Sequence, residues 1–245
     1  MRAFTKQLGT ELSMTLRRGE SVLLTIGIPV ILLLFFAKIK VSGTEGTHPI
    51  TTVAPGIIAL AIMSTSMVSL GISTGFERSY GVLKRLGTTP LGTSRLLGAK
   101  LLGVIVIEMI QVFVLTMIAI GLGWNPGVTP LNILASIAAA LLGSIAFGGL
   151  GLAMAGRLRG EVNLAAANGL YLLLLLLGGM VVPLSALPQS IRVISEFLPA
   201  AALSSVLHQN LGPVSACYSG AWIVLAAWAL LTPLVATASF KFDAN

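Results

Sequence analysis

Five stretches of the chain, 53–75, 98–123, 131–155, 162–182 and 217–240, are each long and apolar enough to cross a bilayer. The hydrocarbon core is about 30 Å thick, and a helix rising about 1.5 Å per residue spans it in about 20 residues. A shorter run over 22–39 precedes them and contains Pro29, where a bend is expected because proline removes a backbone donor and crowds the preceding turn. Composition leaves little room for a water-facing surface: 56% of residues are hydrophobic and 9% charged, where a soluble domain carries about 25%. The expected fold class is an all-α integral membrane protein, a single six-span transmembrane domain over 1–245.

The formal charge of +7 is a topology signal rather than a nucleic-acid stripe, because the cations cluster in short segments between apolar runs. With the amino end inside, twelve Lys/Arg fall on the cytoplasmic side and only Lys38, Lys40 and Arg192 outside. Both termini are therefore expected in the cytoplasm. No cleavable leader is expected, since the first apolar run lies behind a charged segment and is followed by lysines rather than small residues. Cys217 is the sole cysteine, and His48 and His208 are far apart, so no disulfide framework and no metal site are expected.

Three segments outside the spans carry patterns of their own. Over 2–18, Phe4, Leu8, Leu12 and Leu16 recur every four residues, with Lys6, Glu11, Arg17 and Arg18 largely off that stripe. This predicts an amphipathic helix at the cytoplasmic interface. Over 76–87, Phe76, Tyr80, Leu83 and Leu86 fall on one helical face, with Glu77, Arg78, Lys84 and Arg85 around it. A short helix lying flat on the membrane is expected there, ended by Gly87 with Pro90 beyond it. A solvated basic loop that only sets topology is the plainer alternative. Over 183–212, Pro183, Pro188 and Pro199 interrupt a largely apolar stretch, with Arg192 and Glu196 one helical turn apart. A short re-entrant element in the outer leaflet is expected, its irregular backbone covered by protein.

Inside the spans, Glu108 stands as the lone acid of the third, with Gln111 one turn later. Such a residue costs about 2.5–3.5 kcal/mol on insertion and must face protein or water. It reads as an interhelical hydrogen-bond clamp or as a site attracting a cationic substrate. Gly71-Ile72-Ser73-Thr74-Gly75 fits a hydrolase nucleophile pattern, yet a serine needs a base within reach, and His208 is expected at the opposite face. The helix also lacks the sharp elbow that exposes such a serine. Catalysis is therefore not expected.

The loop residues Glu77-Arg78, Gly81, Leu83, Leu86 and Thr89-Pro90-Leu91 resemble those of the permease subunits of ABC-2 type exporters, notably the drug-resistance branch. Pro183-Leu184 after Val182, Leu187-Pro188 and Phe197-Leu198-Pro199 add a second resemblance. Together they span nearly the whole chain in the family's order. Lys84 and Arg85 depart from it, standing where an acidic residue is common.

The resemblance implies that 76–87 is a coupling helix seated in a groove of a separate cytoplasmic ATPase, present in two copies. There Arg78, Lys84 and Arg85 would meet acidic groups, Phe76 or Tyr80 would anchor the contact, and Glu77, Gly81 and Leu83 would complete the segment. ATP and Mg would be bound by that partner and no cofactor by this chain. The run from Gly92 to Lys100 has the wrong spacing for a phosphate-binding loop. A second permease protomer, identical or related, is implied, in the plasma membrane of what reads as a bacterium. In the family, helices of two protomers line a central cavity. Met63, Ser66, Met67, Ser69, Ser73, Glu108, Asn168 and Tyr171 would then be candidate wall positions for a lipophilic or amphiphilic substrate. Local helix bonding and packing explain the hydroxyls equally. The rival is a proton- or ion-coupled secondary transporter using Glu108; it leaves the surface helix without a purpose.

Overall fold

The computed structural model describes residues 5, 7–11, 13, 19–38, 49–87, 92–181, 183–212 and 218–241, and every regular element among them is helical. At its centre is one 31-residue helix, Pro49–Ser79, made of α2 (Pro49–Met63), a π-helical segment (Ser64–Ser69) and α3 (Leu70–Ser79). Of its most apolar window 78% is buried, against 28% for α5 (Thr93–Gly121) and for α10 (Ala221–Ser239). It therefore forms the core, while α5 and α10 leave much of their surface uncovered by the rest of the chain. Before it lies α1 (Gly19–Lys38), which packs along α2.

The other central helix is α6 (Pro130–Ala155), launched by the Thr129 side chain accepting from Asn132 N at 3.3 Å and by Pro130 in the first turn. Small residues let it approach its neighbours closely. A Cβ on Gly151 would stand 2.5 Å from Met67 O, and one on Gly71 3.1 Å from Gly151 Cα, so the π segment and α3 meet α6 backbone to backbone. On its other flank, Gly149 faces Thr232 and Pro233 of α10, and Gly143 faces Leu203 of α9 (Pro199–Leu211).

Hydropathy placed the spans well and their ends less well. Five helices are long and apolar enough to cross a membrane, and α1 is the shorter apolar helix, with Thr25–Ala37 as its apolar stretch. Its helix continues on both sides of Pro29. Helix α5 begins at Thr93, five positions before the expected 98, because its first turn is polar and invisible to hydropathy. Helix α7 (Gly160–Leu177) stops before the expected 182, at Gly178 and Gly179, the latter at φ 64°. Of the amino-terminal segment, residues 5, 7–11 and 13 are helical, and Leu8 and Glu11 lie against Gly103 of α5. Phe4, Leu12 and Leu16 are outside the described residues, as are Val182, Cys217 and Thr89-Pro90-Leu91.

The proline-rich stretch forms a 3₁₀ turn (Leu184–Ala186), α8 (Gln189–Glu196) and α9, with α8 and α9 bent by 87°. Pro188 caps α8, Pro199 opens α9, and Arg192 Nε donates to Glu196 Oε1 at 3.4 Å. Helix α9 is buried against α2, α6 and α10.

Candidate functional site

Charge is concentrated at one end of the bundle, where α3 ends, α5 begins and α6 passes into α7. Residues 76–87 do not form the single flat helix expected. Phe76, Glu77 and Arg78 are the last turn of α3, a turn follows at Tyr80-Gly81, and α4 (Val82–Gly87) starts afresh. Gly81 at φ 71° makes the break, a conformation that side chains with a Cβ resist. The amphipathic period runs straight through this turn, so periodicity alone missed it.

The break separates the residues by role. Arg78 is only 4% exposed and points inward, Nη1 donating to Ala155 O at 3.3 Å and Leu158 O at 3.0 Å. It satisfies carbonyls at the α6 C-terminus, where a cation also complements the helix dipole. Glu77 accepts from Lys100 Nζ at 2.6 Å, and Lys100 is 2% exposed. Lys100 also lies 3.0 Å from Glu11, which ties the amino-terminal segment into the same joint. Ser79 Oγ accepts from Gly160 N at 3.2 Å, and Phe76 packs against Gly160. Past the turn the surface opens: Tyr80 is 77% exposed, and Val82, Lys84 and Arg85 are exposed, while Leu83 is fully buried. The Phe76 and Tyr80 rings stack with centroids 6.1 Å apart.

Midway through the bundle lies an enclosed polar network. Ser66 Oγ of the π segment and Ser144 Oγ of α6 bond the two carboxyl oxygens of Glu108 on α5. One turn along, Thr65 Oγ1 donates to Gln111 Oε1 at 2.9 Å, and Gln111 Nε2 donates to Thr25 O of α1 at 2.7 Å. Glu108, Gln111, Ser66 and Ser144 have no exposed surface. The network thus joins α1, the π segment, α5 and α6, in the arrangement of an interhelical clamp. π-Helical turns hold an extra residue per turn and recur at sites of movement or function.

The other candidate wall residues divide by exposure. Met63 and Met67 are buried with the network, whereas Ser69 and Asn168 are exposed and Ser73 and Tyr171 half-buried. The π segment and α3 pack on α7, so Ser69 and Ser73 share a helix pair with Asn168 and Tyr171. Ser73 Oγ donates to Leu70 O at 3.1 Å within a regular helix. His208 bonds Thr52 O at 3.1 Å, near the other end of the same long helix, so it cannot serve Ser73 as a base.

Three residues escaped sequence reading. Lys100 counted only as a topology charge and as the end of a run with the wrong spacing for a phosphate-binding loop, while Ser144 and Asn163, whose Nδ2 donates to Gly71 O at 2.8 Å, were not singled out. Their partners lie 23 to 92 positions away, and no local pattern marks them.

Comparison with known proteins agrees with this architecture. The family model for the ABC-2 type transporter matches residues 8–211. A protein of Bacillus subtilis (strain 168) named "Putative transport permease YvfS" is 25% identical over 201 residues, covering 82% of this chain and 82% of its own length.

Proposed function

The chain belongs to the ABC-2 type transporter family and is a membrane subunit of an ABC transporter, and on that premise we propose that it is one half of an exporter powered by a separate ATPase. Two cytoplasmic ATPase copies supply ATP and Mg binding, and a second permease protomer, identical or related, completes the path. The subunit resides in the bacterial plasma membrane with both termini in the cytoplasm, α1 counting as the first of six crossings and residues 183–212 as the re-entrant element. The substrate is a lipophilic or amphiphilic compound such as a drug, an antibiotic or a lipid-like molecule.

One observation carries this reading. The exposed Val82, Lys84 and Arg85 sit on a short helix, joined to the buried central helix by a two-residue turn that carries the exposed Tyr80. A push on α4 reaches that helix through a joint pinned by Arg78 and Lys100. Arg78 has the positioning part, and Tyr80, Lys84 and Arg85 the docking part. Substrate moves along the α3–α7 side, past Ser69, Ser73, Asn168 and Tyr171, while Met63, Ser66, Met67 and Glu108 hold the helices together.

Co-purification with the candidate ATPase tests the reading. Tyr80→Ala with Lys84→Glu and Arg85→Glu is expected to weaken association about 30-fold, as loss of a central anchor does, and to abolish ATP-driven export. Unaltered association, or vanadate-insensitive flux driven by protons and abolished by Glu108→Gln, would transfer the assignment to the secondary-transporter class.

A further inference from the structure

A groove of about 100 Å³ runs between α5 and α10, over α6. Leu97 and Leu101 form one wall, Pro233 and Ala236 the other, and Gly149 and Leu152 the floor. Leu97, Leu152 and Ala236 also belong to a small apolar cluster with Leu70, separate from the main core. The groove stays open because α5 and α10 barely touch, each packing instead on α6.

This slot lies at the charged end of the bundle, between two helices long and apolar enough to cross a membrane. Left empty, its walls forfeit dispersion contacts. Water is a poor filling, since a trapped molecule needs two to four polar partners. Thr237, at the slot's charged end, turns its hydroxyl back to Leu234 O at 3.0 Å, and Ser94 lies exposed at the rim. A few methylenes of an acyl chain match the apolar chemistry of the walls.

The same end selects the headgroup. Arg95 directly follows Ser94, and Lys241 follows Thr237 just past the end of α10, where its backbone N–H donates to Gly156 O at 3.2 Å. Both side chains are exposed, and neither forms an ion pair with a described residue. Arg95 is thus next in sequence to one residue of the groove's rim, and Lys241 lies four positions beyond another, Thr237; two exposed cations so close along the chain to an apolar slot complement a negative headgroup. We propose that this groove is a site for one anionic phospholipid of the adjoining leaflet, its acyl chain between α5 and α10 and its phosphate beside Arg95 and Lys241.

Photolabelling of the full-length protein in symmetric vesicles tests the site whichever way the chain is oriented and whatever it transports. The probes are phosphatidylglycerol and phosphatidylcholine, each carrying a diazirine on one acyl chain, with labelled positions mapped by peptide mass spectrometry. Phosphatidylglycerol is expected to label Leu97, Leu101 and Leu152 about fivefold more than phosphatidylcholine. Labelling of Phe113 and Leu230, which face lipid on the same helices, is expected to be equal for the two probes. Arg95→Gln with Lys241→Gln is expected to erase the preference, and Gly98→Leu, which fills the groove, to reduce labelling there by both lipids. Equal labelling of groove and lipid-facing positions, or no headgroup preference in the unmodified protein, overturns the proposal.

Discussion

Lys100 Nζ lies 2.6 Å from Glu77 Oε2, joining the first turns of α5 to the last turn of α3 through an almost fully buried cation. Glu11, 3.0 Å away, makes the cation common to three segments of the chain. Two carboxylates share one ammonium, so loss of the cation leaves two negative charges facing each other without it.

Lys100→Met is therefore expected to destabilise the protein by about 3 kcal/mol, the lower end for breaking a buried pair because both carboxylates keep some access to water. Lys100→Arg retains the charge and is expected to recover most of the loss. Thermal unfolding in detergent reads both, and an unchanged midpoint for Lys100→Met would refute the joint.

At the clamp, Glu108→Gln keeps one acceptor and gains one donor, so a modest loss is expected. Glu108→Leu strands the hydroxyl of Ser66 and leaves Ser144 only its bond to Ala140 O at 2.8 Å, and is expected to cost about 1–2 kcal/mol. Ser144→Ala combined with Glu108→Leu should cost less than the two single losses added, because the partners share one interaction. Strict additivity in the unfolding energies would argue against the network.

Two glycines should respond in opposite ways. Gly151→Ala places a methyl 2.5 Å from Met67 O, and overpacking of this kind costs about 1–3 kcal/mol. At Gly81 a Cβ meets nothing within 4 Å, but φ is 71°. Gly81→Val is then expected to redirect α4 at a local cost of about 1–2 kcal/mol and to impair ATPase coupling while the unfolding midpoint of the spans holds. A shared fall in midpoint and coupling would deny that separation.

At the end of the bundle opposite the charged joint, His208 bonds Ser204 O at 2.8 Å and Thr52 O at 3.1 Å, securing α9 to α2. Beside it, Gly56 lets the Met180 carbonyl approach α2, since a Cβ there would collide with Met180 O. His208→Ala is expected to lower stability by about 1–2 kcal/mol and to raise protease sensitivity within 183–212 selectively. Uniform cleavage along the chain would contradict a local latch.

Sequence reading reached the long apolar helices, the break at the prolines of 183–212, the Arg192–Glu196 pair and Glu108 as a site needing protein around it. Each depends on a run of neighbours or on one residue too polar for its setting, and both are local properties. The same reading put Arg78 on a docking surface beside Lys84 and Arg85. It sits one turn before Gly81, and the positive φ of that glycine sends Arg78 inward and Lys84 outward.

Apolar length alone determined that this chain crosses a membrane as helices, because hydrocarbon leaves backbone polar groups no other partner. Tertiary structure decided which polar residues face one another: Glu108 with Ser66 and Ser144, Arg78 with the carbonyls of Ala155 and Leu158, Lys100 with Glu77 and Glu11. The membrane drives every apolar span equally and so cannot specify their arrangement. That choice falls to close glycine contacts and to buried groups that must find a partner across helices.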